Sequence, residues 1–223
     1  MCYSAEASFV ASAVLAGTSV AISRLPKEKN SHLLAAVPAI FAVHQFIEGS
    51  IWLNQGKSVP AAFMEGSVFA YALIAYVFWP LFIPLAAYLM EANKRRRILM
   101  LICQVVGLGT GLAYLISIIR SPVEVSVYTC NLSYSVNAPG ELFAPYLLAV
   151  SVPFLASSRR GLVRFGLLIL ISCGAAVYFA WNPAFPSVWC FFAAALSFSL
   201  YFYFRACVPE AEQQAEQVCP QHR

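Results

Sequence analysis

Long apolar stretches, each close to the length of one membrane crossing, recur along nearly the whole of this chain. Hydrophobic residues make up 61% of the 223 residues and charged residues only 11%, whereas a soluble domain keeps about a quarter of its residues charged. A helical crossing of a bilayer needs about 20 apolar residues, and no segment shows the regular alternation of an outer-membrane barrel strand. The sequence therefore predicts an all-α integral membrane protein.

Seven apolar segments predict a seven-transmembrane-helix bundle. They cover residues 5–23, 32–54, 61–90, 98–119, 140–157, 162–180 and 187–205. No basic stretch precedes the first segment, so we expect it to be kept as a helix rather than cleaved as a signal peptide. Its many small residues predict a central place in the bundle. We expect one transmembrane domain over 1–205 and a disordered, polar cytoplasmic tail over 206–223.

The basic residues predict the orientation of the bundle. Of the 14 Lys and Arg residues, all but Lys57 and Arg120 fall in the first, third and fifth loops and in the tail. The positive-inside rule then places the N-terminus outside and the C-terminus inside. We therefore predict a multi-pass protein of the bacterial inner (cytoplasmic) membrane. The net charge of +4 is explained by this topology, and no nucleic-acid partner is indicated.

The loop between the fourth and fifth segments has the pattern of a β-hairpin. Val123, Val125 and Val127 alternate with polar residues, and Leu132 to Val136 can return as a second strand. We expect this small extracytoplasmic hairpin to lie over the outer ends of the helices.

Four ionisable residues lie inside apolar segments, on three successive helices: Glu6, His44, Glu48 and Glu65. A charge at membrane depth is costly, so such residues indicate a functional site. His44 and Glu48 are spaced i, i+4 and share one helix face. Glu48 lies roughly 9 Å along the helix axis from the end of its segment, at 1.5 Å per residue. All four residues are predicted in the outer half of the bundle.

Carboxylate, imidazole and thiolate are ligands of zinc and other transition metals. The sequence thus predicts a metal site, with zinc favoured, built from His44, Glu48, Glu6, Glu65 and Cys2. Glu6 and Glu65 are also the candidate catalytic acid–base residues. The alternative is structural. Glu6 and Glu65 would then be surface residues at helix N-termini, where acids are favoured, and the deeper His44 and Glu48 would pair only with each other in a buried hydrogen bond.

Several cofactors are not indicated by the sequence. The three histidines cannot supply a bis-histidine haem inside the bundle, because His32 and His222 fall at the cytoplasmic side. No lysine lies in the seventh segment to form a retinal Schiff base. The glycines Gly107, Gly109 and Gly111 follow no strand, so they predict close helix packing rather than a nucleotide loop.

Three of the seven cysteines lie at or near the predicted outer face, among them Cys2 and Cys130. If that face is oxidising, a disulfide between Cys2 and Cys130 would tie the hairpin to the N-terminus. A free Cys2 thiolate that ligates metal is the alternative.

The opening Met1-Cys2-Tyr3-Ser4-Ala5 and the segment His44-Gln45-Phe46-Ile47-Glu48-Gly49 resemble a family of uncharacterised bacterial multi-pass membrane proteins. The chain is also similar to zinc-dependent seven-helix hydrolases, such as alkaline ceramidases and adiponectin-receptor-like proteins, in helix count and buried polar residues. It lacks the paired histidines of their last helix, so this second resemblance is at the level of the fold.

Three functions are compatible with these features. The first is a metal-dependent membrane hydrolase or redox protein that acts on a lipid-like or small-molecule ligand from the outer leaflet. The second is a proton- or cation-coupled transporter, which broken helices near mid-membrane would favour. The third is a sensor or assembly subunit. The lipid bilayer is the partner common to all three functions. A homo-oligomer is compatible with each of them.

Overall fold

The computed structural model describes residues 4–57, 60–128, 131–180 and 184–206. Within these ranges each of the seven apolar segments forms a helix: α1 (Ala5–Ser23), α2 (His32–Asn54), α3 (Ala61–Met90), α4 (Lys94–Arg120), α5 (Gly140–Leu155), α6 (Arg160–Ala180) and α7 (Phe185–Ala206). The predicted tail from 207 onward and both cysteines of the predicted disulfide, Cys2 and Cys130, lie outside the described residues.

Six of these helices in the described part of the chain are long and apolar enough to cross a membrane. The exception is α5, which is shorter, opens with a 3₁₀ turn at Gly140–Leu142 and carries Pro153 in its interior. The prediction of a mostly helical membrane protein is thus confirmed, with six candidate spans, one shorter apolar helix and a small sheet.

The third helix continues past both of its prolines, Pro80 and Pro84, and ends at Met90. Its backbone becomes π-helical over Leu73–Phe78, immediately before Trp79 and Pro80. Proline has no N–H to donate to the preceding turn, and a π-helical turn is one of the usual ways in which a helix absorbs such a defect. The middle of α3 is therefore the least regular helical segment described.

The glycines of α4 let it approach α3 closely. A Cβ built at Gly107 would lie 2.9 Å from the carbonyl carbon of Pro80 and closer still to its oxygen. A Cβ at Gly111 would lie 3.2 Å from the carbonyl oxygen of Val77, whereas one at Gly109 meets nothing within 4 Å. The prediction that these glycines serve helix packing is confirmed for Gly107 and Gly111.

The predicted β-hairpin is present. Strands β1 (Glu124–Tyr128) and β2 (Asn131–Ser135) pair antiparallel, with Val125 opposite Tyr134. Strand β1 is mostly exposed, while Asn131 to Tyr134 of β2 are all buried. Strand β2 packs against α7 and joins a core cluster with side chains of α2 and α3. The hairpin therefore closes one end of the bundle, which we call the hairpin end.

The opposite end carries the connections 24–31, 91–93 and 156–159, and we call it the basic end. Glu91 is buried there and accepts hydrogen bonds from the Ser158 backbone N–H and hydroxyl, both at 2.7 Å. Arg159 forms an ion pair with Glu28. These contacts join the α1–α2, α3–α4 and α5–α6 connections at one end of the molecule.

The first helix does not occupy the central place that its small residues predict. It packs along α2 and touches α7. Only 22% of the residues in its 18-residue apolar stretch are buried, compared with 61% for the corresponding stretch of α2. The hydroxyl of Ser12 donates to the Ala42 carbonyl at 2.7 Å, and Phe9 fills the space above Gly49. The small residues of α1 thus serve one close helix contact, and α2 is the central helix.

Candidate functional site

A buried polar stripe lies on α2, the most buried of the candidate spans. His44 and Gln45 are 0% exposed and Glu48 is 1% exposed. The three residues fall within five consecutive positions of the helix, so they lie close together on its inward side. This stripe contains two of the four ionisable residues that the sequence singles out.

The carboxylate of Glu48 has two hydrogen-bond donors and no cationic side-chain partner in the described part of the chain. The hydroxyl of Ser187, near the start of α7, donates to one carboxylate oxygen. The amide of Gln45 donates to the other at 3.3 Å. The one salt bridge among the described residues joins Arg159 to Glu28 at the basic end. A charge on Glu48 would therefore be hydrogen-bonded but not neutralised, which is costly in an apolar interior.

His44 is fully buried, yet neither of its ring nitrogens forms a hydrogen bond of normal geometry within the described residues. The Tyr71 backbone is near enough to interact with the imidazole. The ring packs against the Tyr71 ring, with centroids 4.3 Å apart, and more distantly against Phe41. Native proteins pair nearly all buried polar atoms, so two orphan nitrogens on one ring require an explanation.

Aromatic rings close this site toward the hairpin end. Tyr71 of α3 stacks on Tyr134 of β2 with centroids 3.9 Å apart and an interplanar angle of 10°. Tyr71 also lies beside the buried thiol of Cys190, which follows Ser187 by one turn of α7. The site is thus built from α2, α3 and α7 and is covered by the hairpin.

The structure does not place all the predicted site residues together. Glu6 lies in the first turn of α1 and Glu65 in the second turn of α3, and both are exposed. No group of three or more His, Cys, Asp or Glu side chains with metal-binding geometry occurs among the described residues. Cys2 lies outside them. His44 and Glu48 are the two that share the buried face of α2. The metal site stays a prediction.

Three members of the site were not anticipated: Gln45, Tyr71 and Ser187. Gln45 carries the clearest sequence signal, because it is a polar residue between His44 and Glu48 in an apolar helix. Ser187 and Tyr71 resemble many other Ser and Tyr residues in the apolar segments. Their place at the site depends on how α7 and α3 pack against α2.

A series of three cavities runs from the hairpin end into the bundle. The outermost, of about 390 Å³, lies beneath β2 and beside the starts of α5 and α7. It shares five lining residues with a cavity of about 60 Å³ that reaches Cys190. That cavity in turn shares Tyr146, Trp189 and Cys190 with an apolar cavity of about 50 Å³ in the core. Aromatic side chains therefore line three neighbouring cavities between the hairpin end and Cys190, and Cys190 lies beside Tyr71.

Six helices of membrane-spanning length and composition around a buried polar site indicate a multi-pass membrane protein. Within that class, the chain belongs to a family of unknown function (DUF6629), which matches residues 1–215. No curated protein and no solved structure matches the chain.

Proposed function

We propose that this chain is a multi-pass protein of the bacterial inner membrane that binds a cation at Glu48 and His44. The N-terminus and hairpin end face outward, and α5 completes seven crossings. The distribution of Lys and Arg supports this orientation. The contacts at the basic end support it further. They join three connections that, together with the first residues of the helices after them (Lys94 to Arg97, Arg160 and Arg164), hold ten of the 14 basic residues.

The observation that carries the proposal is the pair of orphan nitrogens on His44, one helical turn from a carboxylate that lacks a cationic partner. A cation between the two side chains would neutralise Glu48 and give one His44 nitrogen a ligand. The charge on Glu48 and one unpaired nitrogen would then be satisfied together, and the Tyr71 backbone lies near the imidazole for the other nitrogen. A purely structural pair would satisfy them by bonding His44 to Glu48, and no such bond is formed.

Zinc or another transition metal is the cation that an imidazole nitrogen and a carboxylate oxygen suit best. His44 and Glu48 would hold it. The Tyr71 ring packs on His44, and the Cys190 thiol lies beside Tyr71. Two protein ligands leave positions for water or substrate, and Cys2 stays a candidate third ligand. Bound there, the metal would supply Lewis-acid activation for hydrolysis or a redox centre. Exposed Glu6 and Glu65 are candidate acid–base groups at the rim.

The series of cavities supports a lipid-like substrate for this site. The walls of its two inner cavities are almost wholly aromatic and aliphatic. Its wide end has mixed polar and apolar walls and lies between the hairpin and the starts of α5 and α7. An amphipathic molecule of the outer leaflet could place its apolar part among these rings. The buried polar residues would then meet its polar group near Cys190.

Metal content of the purified full-length protein tests the proposal, with wild type beside His44→Ala and His32→Ala. His32 is the matched control, because it is exposed at the start of α2. We expect about one metal ion per chain in wild type and His32→Ala and a loss in His44→Ala. No metal in any of the three, or equal metal in all three, would contradict a site at His44.

A proton- or cation-coupled transporter is the second candidate, and the π-helical segment Leu73–Phe78 before Pro80 favours it. Irregular helices near mid-membrane line ion sites in many transporters. Ala75 of this segment belongs to the same core cluster as Tyr71, whose ring contacts His44. Proteoliposomes with an internal pH indicator test this function. Proton uptake in wild type that Glu48→Gln abolishes would support transport, and equal uptake by both would refute it.

A further inference from the structure

A second pocket, at the basic end, is lined by three arginines. It lies between the start of α6 and the end of α7 and has a volume of about 570 Å³. Arg159, Arg160 and Arg164 contribute the positive charge, and Glu28 is the one acidic side chain among its described lining residues. A pocket of this size is larger than a bare ion requires and falls in the range of small-molecule sites.

The charge of this pocket is not balanced within the described residues. Glu28 is engaged by Arg159 in an ion pair. Arg160 and Arg164 are exposed and have no carboxylate partner in the described ranges. They are spaced i, i+4 on α6, so both guanidinium groups lie on the same helix face. Guanidinium groups bind phosphate oxygens through two parallel hydrogen bonds, with a geometry that an ammonium group lacks.

The remaining walls are apolar and continue along membrane-spanning helices. Phe165 and Leu168 of α6 and Leu200 and Phe202 of α7 line the pocket. Leu168 and Phe202 are exposed, so an apolar chain could lie between these helices on the surface that faces lipid. The pocket thus combines arginine side chains at the basic end with apolar walls along α6 and α7. These features are complementary to an anionic amphiphile.

We propose that this pocket binds a phosphate group, carried by an anionic phospholipid of the adjacent leaflet, between Arg160 and Arg164. Arg159 closes the head region while its ion pair with Glu28 fixes its position. Basic pockets between transmembrane helices suit the head groups of anionic lipids. The pocket lies at the opposite end from the Glu48 site, so this inference does not rest on the proposed function.

Binding of lipid micelles to the full-length protein in neutral detergent tests the proposal, with phosphatidylglycerol compared with phosphatidylcholine. The variant is Arg160→Gln with Arg164→Gln. The matched control is Lys94→Gln with Arg95→Gln, which removes the same charge from exposed positions at the same end but outside the pocket. Unchanged thermal unfolding without lipid checks that both variants fold.

We expect phosphatidylglycerol to bind in preference to phosphatidylcholine. The pocket variant should weaken this binding by roughly 10- to 30-fold, at about 1 kcal/mol for each basic residue, and the control by much less. Glycerol 3-phosphate serves as the soluble arm. If glycerol 3-phosphate competes at concentrations similar to those of phosphatidylglycerol, the phosphate group alone is the ligand. If it does not compete, the intact lipid is the ligand. Equal weakening in both variants, or no preference for the anionic lipid, would overturn the proposal.

Discussion

The close contact between α3 and α4 predicts opposite effects for two neighbouring glycines of α4. A Cβ at Gly107 would overlap the carbonyl group of Pro80, with its carbon at 2.9 Å, and would lie 3.3 Å from the Ala149 Cβ. Because the main obstacle is backbone, no rotamer change can relieve it, and the helices must move apart. Overpacking of this kind costs about 1–3 kcal/mol, while the higher helix propensity of Ala recovers about 1 kcal/mol.

Gly109 isolates the packing contribution. A Cβ there meets nothing within 4 Å, so Gly109→Ala should keep only the propensity gain of about 1 kcal/mol. We expect Gly107→Ala to be less stable than Gly109→Ala by about 1–3 kcal/mol. Unfolding of the detergent-solubilised full chain with increasing SDS, followed by circular dichroism, measures both. Equal stability of the two variants would refute the close approach of α4 to Pro80.

Two further predictions concern buried polar groups at the two ends. Ser187→Ala leaves one oxygen of Glu48 without its donor and should destabilise the protein by about 1–3 kcal/mol in the same unfolding assay. The control Ser197→Ala removes only a hydrogen bond within α7 and should lower the stability by less. At the basic end, burial opposes ionisation of Glu91, but the hydrogen bonds from Ser158 and the Asn93 backbone outweigh it and lower the pKa of that carboxyl group. Its stabilising contribution is therefore present above the ordinary carboxyl pKa and lost as the pH falls through the lowered value. The melting temperature of wild type should drop more steeply with acid than that of Glu91→Gln, and parallel curves would contradict this assignment.

The helices and the hairpin could be predicted because their signals are local. The runs 5–23, 32–54 and 61–90 coincide with α1, α2 and α3, since apolar length alone decides where a crossing begins and ends. The alternation at Val123–Val127 likewise predicts β1. The hydroxyl of Ser4, directly before α1, accepts a hydrogen bond from the Ala7 N–H, which is the usual contact of an N-cap serine.

The rotation of each helix about its own axis could not be predicted in this way. In a membrane bundle the lipid-facing and the core-facing surfaces are both apolar, so hydrophobic periodicity does not orient a helix. The depth of Glu48 in its segment favours a buried position, but the sequence does not decide between burial and exposure for Glu6 and Glu65. Both are exposed, and Glu48 is buried. The bond between Ser187 and Glu48 joins residues 139 positions apart, and no local pattern indicates such a partner.

The central claim is that Glu48 and His44 bind a cation together. Its most direct measurement is the zinc affinity of the full-length protein, determined by competition with a chromophoric chelator for wild type, Glu48→Gln and Glu141→Gln. Glu141 is the control because it is exposed in the turn that opens α5. The account predicts that Glu48→Gln lowers the affinity by roughly tenfold or more, as expected for loss of a charged ligand, while Glu141→Gln matches wild type. Equal affinity in all three proteins would show that Glu48 binds no metal and would contradict the account.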